Sequence, residues 1–252
     1  MIYVCIPAHN EARTIGVLLW KLRRVLGEFG RDYRIVVLND ASTDDTAEVL
    51  NRYRRSLPLT IFRSDDHLGY SYSVERLLRY VAGEAPYPKR DCAVVLQGDF
   101  TENPEDVVGL VKVLEGGADI VSGRVESEQG VVPRAMRWVR RLSGLALGGA
   151  FRKAPVSDPM IGLRAYRVIV LKKAFRDVPP KEPVIRSEGW ASRAELLDFL
   201  TPHARRIAES PMSLRYDLQV RPSRFDGWKT FWSLRRVRSG LRWRTPDGEA
   251  AG

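Results

Sequence analysis

The chain has 252 residues, 44% hydrophobic and 29% charged, a balance that excludes a disordered chain and suffices for one large domain or two small ones. Lysines and arginines number 41 against 31 acids, a net charge of +10, so the favoured partners are anions: nucleic acid, an acidic membrane surface or a phosphorylated small molecule. Three scattered histidines and two cysteines do not make a zinc site. Cys5 and Cys92 lie in or beside apolar runs and read as buried free thiols of a reducing compartment rather than a disulfide or a catalytic thiol. The amino terminus has no basic and then apolar leader. The longest uncharged stretches, such as 142–151, are about half of the roughly 20 residues that cross a bilayer. The expectation is a soluble or peripheral protein.

In chain order, 2–6 is a short apolar strand, followed by Pro7 and a helix whose stripe is Ile15, Leu18, Leu19, Leu22, Val25, Leu26 and Phe29, ending near Gly30. A second strand covers 34–38. "NDASTDDT" then turns, with Ser42 and Asp45 spaced to cap the helix through Val49 and Leu50. A third strand at 59–62 precedes a helix striped by Val74, Leu77, Leu78 and Val81; a fourth at 92–96 precedes a helix over 104–114; a fifth covers 119–121. Strands alternating with helices predict an α/β fold, an open, doubly wound, mostly parallel sheet.

Such sheets bind ligands outside the carboxyl ends of their strands. "PAHNE", "NDAS" and "QGD" follow the first, second and fourth strands and carry acids or amides to one edge. No G-x-G-x-x-G follows the first strand and no G-x-x-x-x-G-K-[ST] occurs, so neither the dinucleotide fingerprint nor the usual phosphate loop is present. In the second half, 134–148 has helical spacing, with Arg134, Arg137 and Arg141 on one face and Trp138, Leu142 and Leu145 on another. "SDPMIGLRAYR" reads as a loop and strand, and 191–200 as a helix. From Arg221 to Arg244 eight basic residues face Asp226 alone, interleaved with Phe225, Trp228, Phe231, Trp232 and Trp243.

"VCIPAHNEARTIGVLL", "VVLNDASTDDTAEVL", "VVLQGDFTENP", "DIVSGR" and "SDPMIGLRAYR" together resemble, in order and spacing, family 2 glycosyltransferases of the GT-A fold. The nearest subgroup is that of dolichyl-phosphate mannose synthase and related polyprenyl-phosphate glycosyltransferases. The resemblance spans roughly 2–230. It implies one domain over 1–220, its nucleotide-sugar half about 1–125 and its acceptor half about 126–220. A basic aromatic interfacial segment over 221–246 and a frayed tail over 247–252 follow.

The resemblance also implies roles. Pro7, His9 and Glu11 match the segment lining the base and ribose of a nucleoside-diphosphate sugar, with His9 in place of the usual aromatic. Asp40 matches a nucleoside contact, Asn39 replacing the acid before it. Asp99 matches the retained acid of a D-x-D motif that holds Mg2+ or Mn2+, and Gln97 stands where the first acid is expected, so a divalent cation would be weakly bound through Asp99 and Gln97. "HLGYSYSVE" keeps Gly69 but carries Ser71 and Glu75 where small residues are usual. Arg164 and Tyr166 match a G-F-R-x-Y segment, with Asp158 upstream, and Glu195 matches the acid of a Q-x-E helix. Asp99 and Arg164 are the implied catalytic residues.

A polyprenyl phosphate nucleophile is already ionised and needs no general base. Arg124, Arg134, Arg137, Arg224 and Lys229 are candidates to hold it, guanidinium suiting phosphate bidentately. The expected function is inverting transfer of a hexose to polyprenyl phosphate by a cytoplasmic protein peripheral to the membrane. The basic aromatic segment would lie on anionic lipid or a membrane-anchored partner, and nucleic acid, although it suits the same composition, is not the expected partner. Two alternatives stay open: a hydroxyl acceptor, with Asp158 or Glu195 as base, and a non-catalytic nucleotide-sugar or lipid-binding scaffold with a degenerate D-x-D.

Overall fold

The computed structural model describes residues 1–180, 182–218 and 226–244. The first half alternates β1 (Ile2–Ala8), α1 (Ile15–Phe29), β2 (Tyr33–Asp40), α2 (Thr46–Tyr53), β3 (Leu59–Ser64), α3 (Tyr70–Glu84), β4 (Cys92–Val95) and α4 (Asp106–Glu115). Then come β5 (Ile120–Gln129), α5 (Arg134–Leu147), α6 (Gly149–Arg152), β6 (Arg164–Arg167), α7 (Val168–Phe175), α8 (Trp190–Leu200), β7 (Ile207–Arg215) and α9 (Gly227–Val237). The strands form one sheet in the order β3-β2-β1-β4-β6-β5-β7. β6 runs antiparallel to both its neighbours and the other pairings are parallel.

Alternation along β1 explains the two-sided core. Ile2, Val4 and Ile6 enter the cluster with Leu18, Leu22 and Leu26 of α1, whereas Tyr3 and Cys5 enter the other with Val74, Leu77 and Val81 of α3. Successive strand residues face opposite ways, so a continuous apolar run needs cover on both faces. Full burial of each such Leu or Ile is worth about 1.5–3 kcal/mol. α1 ends as expected at Gly30, whose φ of 69° lets its N–H turn back to the Leu26 and Gly27 carbonyls. Cys5 and Cys92 are buried free thiols; burial raises both, Cys92 to about 12.

Three features differ from expectation. Ser42 does not cap α2: its hydroxyl accepts the Asn10 N–H, and the Asp44 carboxylate takes the Thr46 N–H instead. The fifth strand is far longer than 119–121, because β7, which the sequence pattern did not mark, pairs with its polar half. α7 was also unmarked; "VIVLKKAF" is a short apolar run whose periodicity fits helix or buried strand.

Candidate donor site at the carboxyl ends of the strands

Asn10, Ala41 and Phe100 are non-glycine residues with φ of 55°, 49° and 65°. They follow β1, β2 and β4, so left-handed backbone, which costs L-residues free energy, collects at one edge of the sheet. Side chains tie these loops together. Asn10 Oδ1 accepts the Thr43 N–H at 2.7 Å. The Thr14 hydroxyl bridges the Gly98 carbonyl at 2.9 Å and Glu11 Oε2 at 3.1 Å.

The structure brings the expected donor-side residues to this edge and shows what holds each. Asp40 is buried, 3% exposed; its carboxylate accepts Leu68 N–H at 2.9 Å and Gly69 N–H at 2.8 Å, and meets His67 Nδ1 at 2.8 Å. Asp40 thereby shapes the turn into α3. The His9 and His67 rings lie 4.0 Å apart, tilted by 32°, and Pro7 and Glu11 line the adjoining strand end, where the Glu11 N–H donates to Thr46 Oγ1 at 2.8 Å.

Beside them lies a cavity, open to solvent on one side, lined by Gln97, Asp99, Thr101, Glu102, Met136, Arg140, Asp158, Arg193 and others, with a volume of about 50 Å³. That volume admits a few waters. Gln97 is committed within it. Its Nε2 donates to Glu102 Oε1 at 3.0 Å, its backbone N–H to Glu102 Oε2 at 2.9 Å, and its Oε1 accepts Arg193 Nη2 at 3.0 Å. Glu102 is 1% exposed, and burial raises its carboxyl despite Arg193 and Gln97. Asp99 lines the cavity, and its Oδ1 accepts the Thr101 N–H at 3.0 Å.

Glu102, Arg193 and Arg140 had not been singled out in the sequence. Arg193 stands two residues before Glu195 on the same helix, and Glu102 three after Asp99; only folding joins them. Burial also raises Asp158, opposed by the Met160 N–H and by Arg140, Arg164 and Arg193.

Other expectations land elsewhere. Arg164 is 1% exposed and donates to the Arg193 carbonyl at 2.6 Å, the Pro159 carbonyl at 2.5 Å and Ser122 Oγ at 3.3 Å. Its guanidinium is turned into the protein, so it positions the 159 loop and α8 rather than meeting a substrate. Glu195 Oε2 accepts from Arg186 N–H, Ser187 N–H and Ser187 Oγ, away from the Asp99 cavity. Arg124 is exposed and paired with Glu126 at 2.6 Å. Arg134, Arg137 and Lys229 are exposed on the α5–α9 surface, and Arg224 lies outside the described residues. Glu75, which stands where small residues are usual, binds Arg79 and the Val184 and Ile185 N–H groups.

The residues fit a divalent cation poorly as a pair. Magnesium is normally held by one or two carboxylates plus phosphate oxygens and water. The Gln97 amide is already bonded at both ends, so of this pair only the Asp99 carboxylate remains to meet a cation. Among the described residues no group of three or more His, Cys, Asp or Glu is placed to hold a metal.

α5 connects this cavity to the surface. Met136 and Arg140 line the cavity, while Trp138 of the same helix meets Trp228 at 5.9 Å and Phe231 at 5.7 Å on α9. Trp228 is 63% and Trp232 50% exposed. Trp243, one of the aromatics expected on that surface, is instead buried, its Nε1 donating to the Ala150 carbonyl at 2.8 Å. No helix among the described residues is long and apolar enough to cross a membrane.

A mostly parallel sheet with one reversed strand and acids and amides at its carboxyl edge places the chain among doubly wound α/β proteins. The model described as Glycosyl transferase family 2 matches residues 3–175, and the chain belongs to that family. An undecaprenyl-phosphate 4-deoxy-4-formamido-L-arabinose transferase of Edwardsiella ictaluri is 26% identical over 67% of this chain and 50% of its own length. A dolichol-phosphate mannosyltransferase of Pyrococcus furiosus is 27% identical over 67% of this chain and 47% of its own. The chain therefore spans about half the length of these relatives. Among solved structures, glucosyl-3-phosphoglycerate synthase of Mycobacterium tuberculosis, crystallised with Mn2+, UDP-glucose and phosphoglyceric acid, superposes with a TM-score of 0.60 at 18% identity over 96% of this chain and 80% of that one. S. aureus TarS with UDP-GlcNAc gives 0.59 at 17% identity over 95% and 66%. The fold is GT-A.

Proposed function

We propose that the protein transfers a hexose, with inversion, from a nucleoside-diphosphate sugar to a polyprenyl phosphate at a membrane surface on the cytoplasmic side. The observation that carries this reading is α5, one helix lining the Asp99 cavity on one side and presenting Trp138, Arg134, Arg137 and Arg141 to solvent on the other. A lipid phosphate held against that arginine face lies beside the donor site while its chain stays with the exposed tryptophans. The names of the two curated relatives support the acceptor class.

In the proposed step an acceptor phosphate oxygen forms a bond to the anomeric carbon from the face opposite the leaving group. The bond from that carbon to the donor β-phosphate oxygen breaks, and its electron pair leaves with the nucleoside diphosphate. No proton moves, so no base is required. His9 stacks on the base, and Pro7, Glu11 and the Asp40-built turn shape the nucleoside pocket. Arg134, Arg137 and Lys229 hold the acceptor phosphate. A divalent cation of the kind crystallised with the structural neighbours would meet one protein carboxylate oxygen, on Asp99, and would be held weakly.

Asp158 favours a second reading. It is a carboxyl raised by burial and lining the same cavity, the form of a general base for a hydroxyl acceptor, whose proton it would take as the glycosidic bond forms. The test is sugar transfer from UDP- and GDP-sugars to undecaprenyl phosphate in vesicles and, separately, to soluble hydroxyl acceptors, with Asp158→Asn alongside. Lipid-dependent product that survives Asp158→Asn supports the proposal. Product only on soluble acceptors, lost in Asp158→Asn, replaces it with the second reading, and no product with nucleotide-sugar binding intact identifies a scaffold.

A further inference from the structure

Among the described residues, two buried side-chain polar atoms lack a hydrogen-bond partner: the Thr101 hydroxyl and Arg193 Nε. Both residues line the Asp99 cavity. An unmade hydrogen bond at a buried group costs about 1–3 kcal/mol, so two such groups on residues of one cavity would each gain from a partner admitted there. A guanidinium donates only, and a hydroxyl also donates. The Arg193 N–H therefore lacks an acceptor, which an anion supplies, and the Thr101 hydroxyl can donate to the same group.

Arg193 is also a cation that no carboxylate among the described residues pairs with directly, although Glu102 and Asp158 of the same cavity feel its charge. Its Nη2 donates to Gln97 Oε1 at 3.0 Å and its Nη1 to the Met160 carbonyl at 3.1 Å. Its guanidinium carbon lies 5.2 Å from the centre of the Tyr70 ring. Among the described residues none of its nitrogens forms an ion pair within 4.0 Å of a carboxylate. Glu102 is bonded to the Gln97 backbone and amide instead, and Asp158 Oδ1 accepts the Met160 N–H. Gln97 therefore stands between the two charges, giving its amide nitrogen to Glu102 and its carbonyl to Arg193. An aspartate at 97 would bring a negative charge directly against Arg193 and neutralise it.

We propose that Arg193, held off carboxylates by the Gln97 amide, is the fixed cation that receives the donor's diphosphate, so that this protein binds nucleoside diphosphate without a divalent metal. The proposal rests on the reading of the Asp99 cavity as the donor site. A guanidinium preorganised in a water-poor cavity stabilises the charge that develops on a departing diphosphate without reorganising, and its planar fork suits phosphate oxygens. The Gln at position 97 then has a physical reason: it preserves the arginine's charge where a second acid would cancel it.

The test is calorimetric titration of the whole chain with UDP and GDP, in EDTA and in manganese chloride. One nucleotide is expected to bind in EDTA with an affinity within about threefold of that in manganese, and Arg193→Gln to weaken it about tenfold or more in both buffers. Because Arg193→Gln leaves Glu102 buried beside a neutral partner, Gln97→Asp provides an independent arm. It is expected to weaken metal-free binding about tenfold and to make binding respond to manganese. Thermal melting of each variant establishes that it is folded. Binding that requires manganese and is indifferent to Arg193→Gln overturns the role of Arg193 while leaving the donor site standing. Failure of both nucleotides in both buffers overturns the donor reading and this proposal together.

Discussion

Gly98 lies so close to β1 that an added Cβ would come within 3.2 Å of the Pro7 carbonyl oxygen and 3.4 Å of Glu11 Cγ. A side chain there has backbone on one side, which cannot yield as a flexible tip can. Gly98→Ala is expected to destabilise the protein by about 1–3 kcal/mol, read as a lowered melting temperature; an unchanged value would mean that the two strand ends separate without penalty. Glu102 carries a different signature. Burial places its native carboxyl above the ordinary 4.5, so between that value and the raised one the folded state binds more protons than the unfolded. Stability from this group is greatest below the ordinary value and falls as pH rises through the window. Denaturant unfolding from about pH 4 to 7 should show a decline that Glu102→Gln reduces; equal slopes would mean that Glu102 titrates alike folded and unfolded.

At the scale of elements, α5 and α9 form a unit that neither forms alone. Leu234 of α9 and Val139 of α5 are fully buried in one cluster with Met160 and Trp190, and Gly227 lets the helices approach, its added Cβ meeting Val139 Cγ2 at 3.3 Å. The Asp226 carboxylate caps α9 by accepting the Lys229 N–H at 3.0 Å, about 1 kcal/mol of local support. Leu234→Ala should cost about 2–5 kcal/mol and raise amide exchange across α9 more than across β1 or β2. Equal exchange in both regions would show α9 coupled to the whole sheet. At the end of the reversed β6, Arg167 ties that strand to the residues just before β5, bonding Asp119 at 3.0 Å and the Ala118 carbonyl at 2.8 Å.

For the whole molecule, a net charge of +10 and the exposed Trp138, Trp228 and Trp232 make one prediction. Each basic residue near an anionic bilayer contributes about 1 kcal/mol, and tryptophans insert at the headgroup level. The protein should co-sediment with vesicles containing phosphatidylglycerol and be released by salt. Replacing the three tryptophans by alanine should lower vesicle binding while leaving nucleotide binding in solution unchanged; vesicle binding unaltered by those changes would move the lipid surface elsewhere.

The legible part of this protein was what depends on near neighbours in sequence. The α1 stripe, the Gly30 stop, the apolar strands and the three polar strand ends all follow from periods of two and 3.6 and from the rule that ligands meet such a sheet at its carboxyl edge. The motifs that resemble a glycosyltransferase lie in those same stretches, so family and fold were read together. β7 and the polar half of β5 were not legible, because each is a strand only through the other.

The tertiary structure alone decided which charges see the site. Arg164 has the right place in its motif, yet its guanidinium is spent on three groups inside the protein. Arg193, 96 positions from Gln97, carries no local pattern that sets it apart from its neighbours on α8. Burial and pairing are properties of three-dimensional neighbours: they determine whether a cation is neutralised, hydrated or left facing a cavity. A single sequence names the side chains present, and packing determines which of their charges remain available to a ligand.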